Sequence, residues 1–434
     1  MEVSVEKTSE LSRKMTVSIP EDVVQGKVSE RVKKLAREVK IDGFRPGKVP
    51  QKVVQKMYGA RVREEVTGDL IQANYVQALQ DNDLRPAGMP QVEVVDAETG
   101  FTFVASFEVY PEITLDGIDG IEIAKSVATV EAADLDVMLE KLREQKKTWV
   151  ASEQAAQEGD KLVINFSGVS DGEDFTDGKV EDFEVEIGAK KMIPGFEDNL
   201  VGLAVGDTKA FTVTFPEGYG NEKLAGKPAE FDIEVLKVES PVLPEIDAEF
   251  IEAYGIESGD KEEFLADVKS NMERELAQAL KSDLKNVVMN GLYEKVAVTL
   301  PTVMVDAEIE SLMKPYYENA KQRNMDVNDL KLPRENFEEQ AKRRVALGLI
   351  LADIIQTNAI KADKEAVRAV IEDMARSYED PNEVVNWYYG DEKRLAEVEQ
   401  MVLEDATVDW VLSKAKVTDK PVSFSEIMES TRQQ

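Results

Sequence analysis

Hydrophobic and polar positions repeat along this chain with two periods, and the period switches several times. Near the start, Val3-Ser4-Val5 and Thr16-Val17-Ser18-Ile19 alternate residue by residue, as half-buried strands do. Pro20-Glu21-Asp22 then reads as a helix start. Val24, Val28, Val32, Leu35 and Val39 fall on one stripe of that helix, which the pattern carries to Asp42-Gly43. A second amphipathic helix is expected over residues 61–81. Phe101, Phe103, Ala105, Phe107 and Val109 return to alternation, so residues 1–112 describe a small α+β domain.

Period two dominates again over residues 150–246. Leu162-Ile164-Phe166, Phe183-Val185-Ile187, Phe211-Val213-Phe215 and Phe231-Ile233-Val235 are separated by turns at Asp171-Gly172, Gly188, Gly206-Asp207 and Gly218. Several antiparallel strands with one short helical segment near 195–200 are expected there. The remainder, 247–434, is helical in pattern. Leu276, Leu280, Leu284, Val287 and Leu292 keep three-to-four spacing, and further helices are expected over 335–357 and 364–378. The connector 113–149 holds a helical piece at 132–149. Pro301, Pro315, Pro333 and Pro381 are expected to break or kink helices. No internal repeat or low-complexity segment stands out. The chain reads as a multidomain α+β protein.

Composition narrows the chemistry. With 434 residues and 42% apolar content, the chain can build more than one core. It has no cysteine and no histidine. Disulfides, thiolate chemistry, Ser-His and Cys-His triads and the usual zinc ligand sets are therefore excluded. No metal and no cofactor is expected. The opening run MEVSVEKTSELSRK lacks the apolar core of a signal peptide. The longest apolar run, 345–352, is far short of the roughly 20 residues a membrane span needs. A soluble, cytoplasmic protein without membrane partners is the expectation.

Charge is distributed unevenly. From Lys27 to Arg63 there are 12 Lys/Arg against 3 Asp/Glu, a net of +9, on a chain whose total is −33; the rest carries −42. At the centre lies Gly43-Phe44-Arg45-Pro46-Gly47-Lys48-Val49-Pro50, preceded by Lys33, Lys34, Arg37 and Lys40. A tight turn explains the glycines and prolines. It leaves unexplained an aromatic residue flanked by Arg45 and Lys48, which suits an anionic partner whose phosphates an arginine grips in bidentate fashion. A solvated charged loop is the other reading.

The run resembles the ribosome-docking signature of the trigger factor family, bacterial ribosome-associated chaperones. Gly43, Phe44, Arg45, Gly47 and Lys48 match its Gly-Phe-Arg-x-Gly-Lys, with Pro46 where the family often has lysine. Pro46 removes a charge and stiffens the tip. The resemblance spans nearly the whole chain. It includes Phe107-Glu108-Val109-Tyr110-Pro111, Met192-Ile193-Pro194-Gly195-Phe196-Glu197, Asn271-Met272-Glu273-Arg274-Glu275-Leu276, Phe337-Glu338-Glu339-Gln340-Ala341-Lys342-Arg343-Arg344 and Tyr378-Glu379-Asp380-Pro381. It implies an N-terminal α+β ribosome-binding domain (1–112) and a connector (113–149) that packs with the C-terminal part. An FKBP-like antiparallel sheet with a short helix (150–246) and an all-α C-terminal chaperone domain with helical arms (247–434) complete it.

Phe175, Phe183, Met192, Ile193, Phe196, Tyr219 and Phe231 are scattered through the β-rich zone, and ordinary core packing accounts for most such residues. Their surroundings resemble an FKBP-type prolyl isomerase. The segment from Asp171 to Phe175 matches the strand leading to the pocket, the Met192 run its floor, and Pro216-Glu217-Gly218-Tyr219 the loop with the pocket tyrosine. The resemblance implies a proline ring resting on Phe196, walled by Phe175, Phe183 and Phe231. The Ile193 N–H and the Tyr219 hydroxyl would be its hydrogen-bonding handles. Thr176 stands where small family members often have aspartate, and the segment after Tyr219 is altered, which implies weak binding of macrolide inhibitors. Such chemistry suits a chain without histidine, because rotation about an X–Pro bond breaks no covalent bond.

Met272, Met289, Met304, Met313, Met325, Met374 and Met401 are core residues on the simplest reading, or adaptable client-facing surface. The expected partners are the ribosome, through exit-site protein and rRNA at the 43–50 loop, and unfolded nascent polypeptides. A homodimer off the ribosome is a further expectation. Two rival functions are a free-standing isomerase on a helical dimer scaffold and a nucleic-acid-binding regulator. The basic island argues against the first, and the −42 elsewhere against the second.

Overall fold

The structure is a computed structural model that describes every residue except 1, 43, 45–47, 98–99, 116, 222, 324, 326–331, 377, 379 and 433–434. In chain order it begins with strands β1 (Glu2–Lys7) and β2 (Ser12–Pro20), helices α1 (Glu21–Glu38) and α2 (Gln51–Asp81), and strands β3 (Gln91–Ala97), β4 (Gly100–Glu108) and β5 (Glu122–Val127). Helix α3 (Ala132–Gln145) precedes β6 (Thr148–Ala151), β7 (Lys161–Ser170), β8 (Glu173–Asp174), β9 (Val180–Glu186), β10 (Thr208–Thr214) and β11 (Pro228–Val242). Then come α4 (Ala248–Glu252), α5 (Lys261–Lys295), α6 (Thr302–Gln322), α7 (Glu335–Thr357), α8 (Lys364–Ala375), α9 (Pro381–Tyr389) and α10 (Glu392–Lys414). The strand β12 (Lys416–Pro421) and α11 (Phe424–Arg432) end the order, so the helical C-terminal part carries one strand, paired with β5. Two compact units result: Met1–Ser126 with Ser282–Lys420, and Val127–Lys281 with Pro421–Gln434.

In the first unit a four-stranded antiparallel sheet runs β1-β2-β4-β3. Met15, Val17 and Ile19 lie opposite Ala105, Phe103 and Phe101, and all six are buried on the same face. Helix α1 covers that face with Val24, Val28, Val32 and Ala36, and α2 with Val54, Val62, Val66 and Ala78. Helix α1 stops at Glu38, four residues before the pattern's limit. Leaving the helix there lets both Val39 and Ile41 pack against the core, whereas residues two apart on a helix face different ways. Helix α2 begins ten residues earlier than expected, at Gln51 behind Pro50, because Val54 extends the four-residue spacing of Val62 and Val66. The many lysines between obscure that stripe.

The same unit contains a core gathered from distant segments. Ile118, Ile121 and Ile123 pack with Val288, Met289 and Leu292 of α5, Ile350 and Ile354 of α7, and Val408 and Val411 of α10. Helices α6 and α7 pair through Val305, Ile309, Phe337, Ala341, Val345 and Leu349. Pro301 and Pro381 stand at helix starts, but Pro315 lies inside α6 without ending it. It sits on the exposed side, where the carbonyl it leaves unpaired can reach water. The N-terminal segment also touches α6: a Cβ on Gly88 would lie 2.3 Å from Val303 Cγ1, and the Val303 N–H donates to Glu108 Oε2 at 3.2 Å.

In the second unit the sheet runs β10-β11-β7-β8, with β6 added to β11 and β9 to β7. A bulge between Val235 and Lys237 resets the alternation of β11, so that Phe231, Ile233, Val235 and also Val238 face the core. Helix α3 ends at Gln145, short of 149. Trp149 instead lies on β6 opposite Pro241, its ring between Lys147 at 4.7 Å and Lys161 at 5.3 Å. Leu135, Met138, Leu139 and Leu142 of α3 pack on Phe250, Ile251, Phe264 and Met272.

Two helix glycines test this packing with opposite signs. A Cβ on Gly291 would lie 2.7 Å from Ile121 Cγ2, whereas nothing lies within 4 Å of one on Gly348. Gly291→Ala is expected to destabilise by about 1–3 kcal/mol through overpacking. Gly348→Ala is expected to stabilise by about 0.5–1 kcal/mol through the helix propensity of alanine. Denaturant midpoints of the two variants check both.

Candidate functional site

Two regions carry the chemistry singled out in the sequence. On α1, α2 and the segment between them, Lys33, Lys34, Arg37, Lys40, Lys48, Lys52, Lys56 and Arg61 are exposed and form no ion pair among the described residues. The free cationic field is nevertheless smaller than the residue count. Arg31 donates to Glu65 at 2.5 Å, Arg63 makes two bonds to the Glu21 carboxylate at 2.7 and 3.1 Å, and Lys27 lies 3.7 Å from Glu30. The Arg63 bond, reinforced by Gln25, holds the Glu21 carboxyl below its ordinary range. Phe44 is 40% exposed and donates its N–H to the Ile41 carbonyl at 3.1 Å. Lys48 is exposed, and Val49 beside it is buried in the core. Gly43, Arg45, Pro46 and Gly47 lie outside the described residues.

In the second unit the seven scattered residues meet. Phe231 on the central strand β11 stands 5.1 Å from Phe196 and 5.6 Å from Phe175, ring to ring and edge to face. Phe166 bridges Phe196 at 6.1 Å and Phe183 at 5.3 Å. Met192 and Ile193 pack against the same cluster. Tyr219 joins through Phe215, 4.6 Å from it and 5.6 Å from Phe175. Among the described residues the Ile193 N–H and the Tyr219 hydroxyl have no hydrogen-bond partner. Phe196 is fully buried rather than open as a floor, with Phe211 5.4 Å away, so a ring reaching it must displace neighbouring side chains. Phe175, Phe183, Met192 and Ile193 are partly exposed.

Sequence reasoning left out Phe166, Phe211 and Phe215 as members of this cluster. The signal was present, since each stands in an alternating run with residues that face the core. It also left out Gly168. That residue lies opposite Phe231, and a Cβ on it would meet Phe175 Cζ at 2.3 Å. The bare backbone there makes room for the Phe175 ring. The loop carrying that ring is tied by Asp174, which accepts from the Thr176 N–H and hydroxyl at 2.8 and 2.7 Å and from the Gly178 N–H at 2.9 Å. These bonds keep the Asp174 carboxyl below its ordinary range. Thr176 thus has a structural use where aspartate was noted as the common alternative.

Glu197 follows Phe196 on a short 3-10 helix (Glu197–Asn199) and is buried. Its carboxylate accepts four backbone N–H groups, from Gly188, Lys190, Lys191 and Met192, at 2.9, 3.0, 2.9 and 3.0 Å. Burial works to raise its pKa, but the four donors outweigh it and hold the carboxyl below the usual carboxylate range.

The helical methionines divide. Met272 and Met289 are core residues, Met304 and Met313 are partly buried, and Met325 and Met401 are exposed. Met374 lines a cleft of about 830 Å³ together with Tyr378, Asp380, Val384, Trp387 and Tyr388. No group of three or more acidic side chains among the described residues is arranged to hold a metal ion.

Comparison with known proteins agrees with these features. The family model described as bacterial trigger factor protein matches residues 1–142, and that of its C-terminus matches 262–413. The model of FKBP-type peptidyl-prolyl cis-trans isomerases matches 152–236. The chain is 45% identical over 444 residues to the trigger factor of Saccharophagus degradans, covering 100% of this chain and 99% of that protein. It is 44% identical over 433 residues to that of Aeromonas hydrophila, covering 99% and 98%. A solved trigger factor chaperone structure, 20% identical, matches 95% of this chain and 99% of its own with a TM-score of 0.50, a likeness of fold.

The Gly168–Phe175 contact can be isolated by a double-mutant cycle. Gly168→Ala is expected to cost about 1–3 kcal/mol in the wild-type background. In a Phe175→Ala background the same change is expected to cost little, because the ring it strikes is gone. Thermal unfolding of the four chains reads the coupling.

Proposed function

This chain belongs to the trigger factor family, and on that footing we propose how its parts divide the work. It is a ribosome-associated chaperone of that family with an FKBP-type peptidyl-prolyl isomerase domain. Residues 1–112 form the ribosome-docking part, 150–246 the isomerase, and 113–149 with 247–434 the body that receives unfolded chains. The FKBP-type match over 152–236 supports the limits of the isomerase, and the packing of 118–123 on α5, α7 and α10 and of α3 on Phe250, Ile251, Phe264 and Met272 supports joining 113–149 to the helical body.

The isomerase pocket is the cluster of Phe175, Phe183, Met192, Ile193, Phe196, Tyr219 and Phe231. The carrying observation is that residues spread over 175–231 converge on one aromatic group whose rim holds an unpartnered backbone N–H. The barrier to X–Pro rotation, roughly 18–20 kcal/mol, comes from amide resonance, which the planar form enjoys and the twisted form loses. Phe183, Phe175, Met192 and Ile193 line the accessible side of the cluster, with Phe196 and Phe231 beneath them. An apolar wall disfavours the charge-separated planar amide, and the Ile193 N–H and Tyr219 hydroxyl hold the flanking peptide while the bond turns. No proton needs to move, in keeping with the lack of histidine.

The 43–50 loop docks on the ribosomal exit site, with Gly43, Phe44, Arg45, Pro46, Gly47 and Lys48 meeting protein and rRNA. Exposed Phe44 and Lys48 and the unpaired cations of α1 and α2 support this reading. The same cations disfavour a free-standing isomerase. Nascent chains are received on apolar surface of the helical body, and off the ribosome that surface pairs two copies. Exposed Tyr378, Trp387 and Met401 support both statements. No described helix is long and apolar enough to cross a membrane, and the cytoplasmic setting is proposed from the family.

Two measurements test the proposal. Pelleting with ribosomes is expected to fall about tenfold or more for Phe44→Ala/Arg45→Ala/Lys48→Ala, and to weaken with salt in the wild type. Equal pelleting of the two proteins sinks docking through this loop. Phe183→Ala, which removes a partly exposed ring, is expected to lower isomerisation of a proline tetrapeptide about tenfold. Undiminished turnover removes Phe183 from the pocket.

A further inference from the structure

The loop of residues 188–192 brings Met192 and the Ile193 N–H to the aromatic cluster, yet it belongs to no strand or helix. Two of its residues stand at positive φ, Gly188 at 89° and Lys190 at 54°. Glycine adopts that region freely, but lysine meets a steric penalty there. Such a loop keeps one shape only if something outside it supplies the hold. The Glu197 carboxylate does so. It accepts the N–H groups of Gly188 and Lys190 on Oε2 and those of Lys191 and Met192 on Oε1. The preceding residue, Phe196, is fixed among the rings of Phe166, Phe211 and Phe231. One short turn therefore ties the bottom of the cluster to its rim.

We propose that Glu197 is the positioning residue of the isomerase pocket: its carboxylate presets the 188–192 loop so that the Ile193 N–H stands ready for a substrate carbonyl. The inference rests on the reading of the Ile193 N–H as the substrate-facing donor. Glu197 itself touches no substrate and transfers no proton. Its contribution is geometric. Four donors arranged around two oxygens define where the next N–H along the chain must point, and that direction is set before any substrate arrives.

Substitution separates reach from charge. Glu197→Gln keeps the shape but replaces one acceptor oxygen with a donor that faces two N–H groups. Glu197→Asp keeps the charge but is too short to meet all four. In the full-length chain, Glu197→Gln is expected to speed amide exchange at Gly188, Lys190, Lys191 and Met192 about tenfold or more, with the amides of β7 and β11 unchanged. It is expected to lower kcat/KM for a proline tetrapeptide about tenfold. Adding Lys190→Gly is expected to restore part of the turnover, because glycine holds positive φ without the carboxylate's help.

Faster loop exchange with unchanged turnover overturns the proposal, since the loop would then be held but not used. Unchanged loop exchange overturns it equally. If the glutamine variant loses protection in the sheet as well, Glu197→Asp carries the same comparison. The pocket assignment fails separately, on unaltered turnover in Phe183→Ala, however the loop behaves.

Discussion

Burial of Ile118, Ile121 and Ile123 among α5, α7 and α10 is the contact on which the first unit's organisation turns. Each isoleucine that leaves water contributes about 1.5–3 kcal/mol. The segments they join are far apart in the chain: residues 118–123, 288–296, 350–354 and 408–411. Bringing them together closes loops of very different length, but loop entropy grows only logarithmically, by about 0.6 kcal/mol per doubling. Val127–Lys281, the greater part of the second unit, can therefore be inserted between Ser126 and Ser282 at small entropic cost, provided the apolar contact that closes the loop is good. Gly291 shows how closely the parts fit, because α5 approaches Ile121 nearer than any other residue at that position would allow.

The second unit solves a different problem. A chain without histidine or cysteine has few groups that can exchange protons near neutrality, and an isomerase of amide bonds needs none. What it needs is a dry apolar wall and a few fixed dipoles. The aromatic cluster of this unit is built from phenylalanines on β7, β10 and β11 and on the segments between them, with Phe183 and Phe196 set edge to face on their neighbours and Phe211 stacked on Phe231. The loops beside the cluster are held by carboxylates used as acceptors: Asp174 for the loop that carries Phe175, and Glu197 for the loop that ends at Met192. Both acids bond backbone N–H groups and both are more acidic than usual, Asp174 first through the Thr176 hydroxyl and Glu197 through its four N–H donors.

Charge acts on a longer scale. The exposed, unpaired cations of α1 and α2 sit on a chain that is otherwise strongly anionic. At physiological salt the Debye length is about 8 Å, so only contacts made at close range keep their full strength. A compact basic patch can thus attract an anionic group at close range even on a chain whose net charge is strongly negative.

The chain's own order discloses a good deal. Alternation marks the strands at 162–166, 183–187, 211–215 and 231–235, and four-residue spacing marks the stripe of α1, because burying one face of an element imposes its period locally. Motifs such as Met192-Ile193-Pro194-Gly195-Phe196 point to the FKBP-type isomerase domain without any coordinates. Other features exist only once distant residues meet. Helix ends at Glu38 and Gln145 follow from where Val39, Ile41 and Trp149 find partners, and nothing in the local period announces those partners. Gly168 makes sense only beneath the Phe175 ring, and Glu197 only amid four N–H groups from a loop that precedes it. Periodicity is a local consequence of having an inside and an outside, whereas close contact and hydrogen-bond satisfaction depend on which surfaces the folded chain brings together.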